Sequence, residues 1–193
     1  MISKFKESLA SLNKIIYFDE RQFLREKSSS PEKLKQYIHE GTLLLDSNIN
    51  EEERYFLYGV LGNLHRINGQ PKDALDYLTM CLNYAEKKED HAKVIVSTIR
   101  LGEAQKYNGD HLNALELFNH ALEKCNSHNE GRYIDFVLQH KGKCLMELSK
   151  LKEAENCFLE ALNVRLKKND HELLASTQKA LDLVQSLIRK AQT

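Results

Sequence analysis

The sequence predicts an all-α fold, an α–α superhelix of about four stacked helical hairpins with a capping helix at its C-terminal end. Three observations lead there. A phrase of 22 residues occurs three times, as "LGNLHRINGQPKDALDYLTMCL" from Leu61, "LGEAQKYNGDHLNALELFNHAL" from Leu101 and "KGKCLMELSKLKEAENCFLEAL" from Lys141, at intervals of 40. Within each copy the apolar and small positions recur at helical spacing, as at Tyr58, Leu61, Gly62 and His65. The chain has only two prolines and eight glycines, and most of them fall on the same lattice of 40. A helix–turn–helix unit of this kind cannot bury its apolar face alone, so neighbouring copies must complete the core.

The elements follow in order. Pro31 lies 40 before Pro71, Tyr37 before Tyr77, and Ile38 before Leu78, Phe118 and Phe158. Gly41 precedes the small residues Cys81, Ala121 and Ala161 by the same step. Residues 30–45, "SPEKLKQYIHEGTLLL", therefore read as the second half of a degenerate first repeat. Its first half is expected around Tyr17 to Lys27, with Gln22 where the glycine would stand. Glu51, Glu52 and Glu53 suit the start of the next helix, where anions favour the positive end of the helix dipole. Gly69 and Gly109, with Ser149 in their place in the third copy, mark the turn inside each hairpin. Pro71 then opens the second helix, where a fixed φ and a missing N–H cost nothing. Gly62, Gly102 and Gly142 imply close approach of the two arms, with Ala74, Ala114 and Ala154 expected opposite them twelve residues on. The last segment, "HELLASTQKALDLVQSLIRK", keeps the helical period without the glycine, as a terminal capping helix does. No stretch sustains strand-like alternation, so no strands are expected. The domain reading is a single solenoid over 1–193: a degenerate repeat at 1–50, repeats at 51–91, 92–131 and 132–171, and a cap at 172–193.

Composition narrows the function. With 28 basic and 28 acidic side chains the net charge is zero, and no basic stripe offers itself to nucleic-acid phosphates. No apolar run approaches the roughly 20 residues that span a bilayer, and the start lacks the apolar stretch of a secretory signal. The four cysteines, Cys81, Cys125, Cys144 and Cys157, have no C-x-x-C spacing. The expectation is a cytoplasmic protein, with no membrane and no nucleic-acid partner.

These repeats resemble the tetratricopeptide repeat (TPR), strongly over residues 55–166 and weakly on either side. The usual period there is about 34 residues. Here the spacing from Gly62 to Ala74 is ordinary, so the extra length lies between Leu82 and Gly102, in longer helices joined by a charged turn. There is no tryptophan in the first helix, and His65, Gln105 and Leu145 replace the tyrosine expected three after each glycine. Extended repeats of this length resemble the TPR domains of bacterial Rap/PlcR-like peptide-sensing regulators, and also the TPR scaffolds that orient the mitotic spindle; the third copy looks more like the bacterial group. In that group the repeats follow an effector module, for which residues ahead of the first half-repeat leave no room. Its activity is accordingly not expected here.

The resemblance implies a TPR solenoid whose first helices line a concave groove. On those helices the residue after the lattice glycine faces inward, as do those three later and four earlier. These are Gly59, Asn63 and Arg66, then Ile99, Glu103 and Lys106, then Gln139, Lys143 and Met146. The expected peptide-binding set is Asn63, Arg66, Glu103, Lys106, Tyr107, Gln139 and Lys143. An amide at Asn63 can donate to and accept from a peptide backbone at once, and Tyr107 offers an aromatic anchor. The chaperone-type carboxylate clamp is not expected, because Gly59 stands where its lysine should be. No phosphate loop, H-E-x-x-H or G-x-S-x-G occurs, and His65 reads as a packing residue rather than a base. The reading is a non-enzymatic protein- or peptide-binding adaptor without cofactor or metal. Its alternatives are a sensor of a small signalling peptide, and a structural scaffold forming a homodimer through the exposed flank of the last helix at Leu183 and Leu187.

Overall fold

The computed structural model describes residues 2–192. Helix α1 spans Ile2–Ser8 and runs into a 3₁₀ turn at Leu9–Lys14. Strands β1 (Ile16–Asp19) and β2 (Arg25–Ser28) come next, followed by α2 (Pro31–Leu45). Three hairpins then stack in order: α3 (Glu51–Ile67) with α4 (Pro71–Lys87), α5 (His91–Tyr107) with α6 (His111–Ser127), and α7 (Ile134–Glu147) with α8 (Leu151–Lys168). Helix α9 (His171–Ala191) packs on α8 and α7. The result is the expected α–α superhelix, a TPR-like solenoid.

Each helix end has a local cause. At α3 the Asn50 side chain accepts from Glu53 N–H at 2.9 Å while the Glu53 carboxylate accepts from Asn50 N–H at 3.1 Å, a reciprocal capping box. Asp90, Asp110 and Asp170 cap α5, α6 and α9 through the N–H of the third helical residue. Pro31 and Pro71 occupy the first turns of α2 and α4. Turns within hairpins need a left-handed residue at one place, met by Gly69 (φ 79°), Gly109 (φ 88°) and Ser149 (φ 59°). A second such series lies between hairpins, at Glu89, Asn129 and Asn169, again 40 apart. It ends the second helix of each repeat, and sets the short turn that the lengthened helices require.

The lattice glycines do mark close approach, but against a different partner from the one expected. A Cβ on Gly62 would lie 2.5 Å from Leu78, one on Gly102 2.7 Å from Phe118, and one on Gly142 2.6 Å from Phe158. The close neighbour is therefore the large residue sixteen positions on, while Ala74, Ala114 and Ala154 are simply fully buried. Leu78, Phe118 and Phe158 are themselves fully buried, each worth on the order of 1.5–3 kcal/mol. All four cysteines are free and buried. No helix among the described residues is long and apolar enough to cross a membrane.

Two expectations fail. Residues 17–27 form no α-helix: Tyr17 pairs with Lys27 and Phe18 with Glu26 in an antiparallel hairpin with a 3₁₀ turn at Glu20–Gln22, closed at its base by Ser29 N–H to Ile15 O at 2.8 Å. The expectation of no strands is corrected with it. Its physical reason lies in α1 and the 3₁₀ turn after it, which send Phe5 and Leu12 under Leu34 and Tyr37 of α2, so the core of the first unit is completed without an α-helix at 17–27. The flank of α9 is less exposed than expected: Leu183 and Leu187 are half-buried, packed on the cluster of Leu145, Phe158, Ala180 and Val184. The apolar face of α9 is broad enough to wrap the end of α7 and α8.

Candidate functional site

Helices α3, α5 and α7 pack side by side and form the wall of the groove. Its two halves differ. Over the C-terminal ends of these helices lies the β1–β2 hairpin; over their N-terminal halves the groove is open.

The covered half is held by charge. Arg25 donates to Glu147 through Nε (2.9 Å) and Nη2 (2.5 Å), and Nη2 also reaches the Lys106 carbonyl at 3.0 Å. Arg66 donates to Glu26 at 2.5 Å. The Tyr107 hydroxyl accepts from Glu26 N–H at 2.6 Å, and the guanidinium carbons of Arg25 and Arg66 lie 4.8 and 4.6 Å from the centre of its ring. Lys143 donates to the Leu24 carbonyl at 3.3 Å beneath the ring of Phe18. Glu103 ties the helices together through Lys106 at 2.9 Å, His140 at 3.1 Å and Arg66 at 3.5 Å. Lys179 of α9 meets Glu20 at the hairpin tip at 2.8 Å.

Burial and pairing compete at each group. Burial pushes the Glu103 carboxyl up, but Lys106, His140 and Arg66 outweigh it and hold it well below the usual carboxylate range. Glu26 is likewise lowered, burial being overcome by Arg66, and Glu147 by Arg25 and Lys106. Burial, with Lys106 alongside, brings the Lys143 ammonium down to about 8. Burial raises the Tyr107 phenol.

Of the expected residues, Arg66, Glu103, Lys106, Tyr107 and Lys143 come together in this covered half. Arg66, Glu103, Lys106 and Lys143 are each no more than 5% exposed. Gln139 does not join them. Its amide oxygen accepts from Arg165 of α8, which also bonds Asp135 at 2.9 Å and Thr177, so it belongs to the α7–α8–α9 junction. Met146 is fully buried in the core that receives Leu24. His65 stacks on Tyr77 with ring centres 5.3 Å apart, as a packing histidine does.

The open half is a cleft of about 340 Å³ bounded by Asn63, Val96, Arg100, Tyr133, Phe136 and His140, continuing past Gly59 to Phe56 and Val60. Asn63 lies here, and Arg66 and Glu103 reach its edge beside Glu26 of the hairpin, so the two halves meet at these side chains. The Asn63 amide makes no hydrogen bond among the described residues, and the Arg100 guanidinium makes neither a hydrogen bond nor an ion pair there. Arg100 runs across Gly59, where a Cβ would come within 2.6 Å of its Nη1. The sequence carried a signal for the missed residues. Phe56, Val96 and Phe136 form one series of 40, and Val60, Arg100 and His140 another, seven and three positions before the Asn63, Glu103 and Lys143 series.

Residues 54–127 match the tetratricopeptide repeat family. No curated protein matches the chain. Among solved structures, a Rap protein complexed with Competence and Sporulation Factor is similar at a TM-score of 0.72 and 17% identity, over 84% of this chain and 46% of that one. Apo RapI gives 0.66 and 18%, over 82% and 59%. Bacillus thuringiensis PlcR, in complex with the peptide PapR7 and DNA, gives 0.66 and 19%, over 77% and 54%. The chain thus spans roughly half to three-fifths of the length of these structures. Identity at this level speaks for the fold, and the fold is a tetratricopeptide-repeat solenoid resembling the repeat regions of Rap and PlcR.

Proposed function

We propose that this protein is a non-enzymatic adaptor that binds a peptide segment of a partner in the open half of its concave groove. The observation carrying this reading is the pair Asn63 and Arg100, on adjacent helices and facing one cleft, with neither side chain bonded to another described residue. An amide there can pair with a peptide backbone in both senses, and a guanidinium suits a carboxylate. Val96, Phe136 and Tyr133 supply the apolar and aromatic surface that such a segment needs. A sensor of a small signalling peptide is the second reading. It is favoured by the similarity to PlcR, solved in complex with the peptide PapR7 and DNA, and to a Rap protein complexed with Competence and Sporulation Factor.

The test is a phage-displayed library of random short peptides panned on the full chain, with the selected peptides measured by fluorescence polarisation. Enriched peptides should carry an acidic residue and lose at least about tenfold in affinity against Val96→Arg plus Arg100→Glu. Peptides that bind this variant as well as the parent would move the site out of the cleft.

A further inference from the structure

The covered half carries an inference of its own, resting on the reading of the groove as a peptide-binding surface. We propose that Phe23-Leu24-Arg25-Glu26 is a tethered ligand of this half, and that the partner segment displacing it presents the same chemistry: an aliphatic residue followed by arginine and glutamate.

The hairpin is seated as a ligand is. Of residues 16–28 only Leu24 is buried, so the rest of the segment lies on the groove rather than in the core. Leu24 enters a pocket among Leu145, Met146 and Ala180. Arg25 and Glu26 then meet a row of groups on the three groove helices: the Arg66 side chain of α3, the Lys106 carbonyl and Tyr107 hydroxyl of α5, and the Glu147 carboxylate of α7. These positions recur because the repeat does, so the row is what the solenoid offers any occupant.

Lifting the hairpin defines what must replace it. Glu147 would keep Lys106 at 3.8 Å and His111 at 2.7 Å but lose its forked arginine. Arg66 would keep Glu103 at 3.5 Å and the face of the Tyr107 ring, but lose its closest carboxylate. Arg66 without its nearest carboxylate calls for a glutamate, and Glu147 without its guanidinium fork calls for an arginine. The tether also favours release. Phe23 (φ 52°) and Leu24 (φ 61°) hold left-handed conformations that bulky side chains rarely adopt. The flanking elements are anchored independently through Phe5, Leu12, Leu34 and Tyr37, so the hairpin can leave without unravelling α1 or α2.

The experiment uses a fluorescein-labelled peptide of residues 16–28, closed by a disulfide through Ile16→Cys and Ser28→Cys, which face each other across the strands. Its affinity is measured for the parent chain and for a chain loosened by Leu24→Ser, Arg25→Ala and Glu26→Ala. The loosened chain should bind at least about tenfold more tightly than the parent, and lose that gain when Arg66→Ala and Glu147→Ala are added. A probe carrying Arg25→Ala and Glu26→Ala should not bind. A loosened chain that keeps its helical circular dichroism yet ignores the probe overturns the proposal. Should that chain fail to fold, hydrogen exchange on the unmodified chain decides. Amides of 25–28 exchanging at least about 100-fold faster than those of α5 support a tether, and exchange only with global unfolding makes the hairpin part of the fold. Because this probe avoids Val96 and Arg100, its failure leaves selected peptides binding in the cleft, and failure of the cleft reading leaves capture of the probe intact.

Discussion

One set of three helices builds two unlike surfaces. Where α3, α5 and α7 end, the groove is dense with buried charge, most of it paired with opposite charge, with the Lys143 ammonium held only by a carbonyl. A few residues earlier on the same helices, an amide and a guanidinium stand unanswered beside aliphatic and aromatic surface. The backbone is the same in both halves, so the difference comes from what the side chains meet. Charges that find partners belong to stability; polar groups that find none are left for binding.

The largest effect should follow from breaking the covered half. Glu103→Ala removes the closest carboxylate of Lys106, shared with His140 and Arg66, and should cost on the order of 3–5 kcal/mol in urea unfolding. A cost below about 1 kcal/mol would mean that these groups reach water. Gly102→Leu strikes the scaffold beneath both halves. With a Cβ already 2.7 Å from Phe118, the larger side chain should cost on the order of 1–3 kcal/mol or more, read as a lowered melting temperature. A melting temperature equal to the parent's would contradict that packing.

Lys143 gives a sharper probe, because its effect depends on pH. Its folded value of about 8 lies below the ordinary 10.5, so between the two the unfolded chain holds a proton that the folded chain has released. Stability owed to this lysine is therefore lowest below pH 8 and rises towards pH 10.5. The difference in unfolding free energy between the parent and Lys143→Met cancels the shared thiols and phenols. It should move in the parent's favour by about 1–3 kcal/mol from pH 7 to pH 10. A flat difference would place the ammonium in water. The smallest effect belongs to the open half, where Asn63→Ala should change stability by no more than about 0.5 kcal/mol while weakening selected peptides. A large loss of stability there would erase the contrast.

The solenoid was legible because its causes are local and repeated. Glycine at 62, 102 and 142 and a left-handed turn at 69, 109 and 149 announce themselves at fixed intervals. The turn series at Glu89, Asn129 and Asn169 was harder to see, since only asparagine hints at a left-handed conformation. The hairpin was not legible. Its strands are four residues each, too short for alternation to register, and its turn holds Phe23 and Leu24 in place of asparagine or glycine. What holds it lies far along the chain, in Arg66, Tyr107 and Glu147. For the same reason the lattice named most of the groove residues but could not say that they were covered. Gln139 stands apart from the other groove residues because the inward stripe assumes a free concave face, whereas in the last repeat its amide turns to Arg165 of α8.

The pair Arg25 and Glu147 joins positions 122 residues apart, and Glu26 joins Arg66 across 40. Neither end can change sign alone without setting like charges together at a site that excludes water. A lineage that altered one would need the matching reversal at the other, so the first thirty residues and the repeats must be inherited as a matched set. A hairpin grafted from one such protein onto another would work only where the distant charges agree.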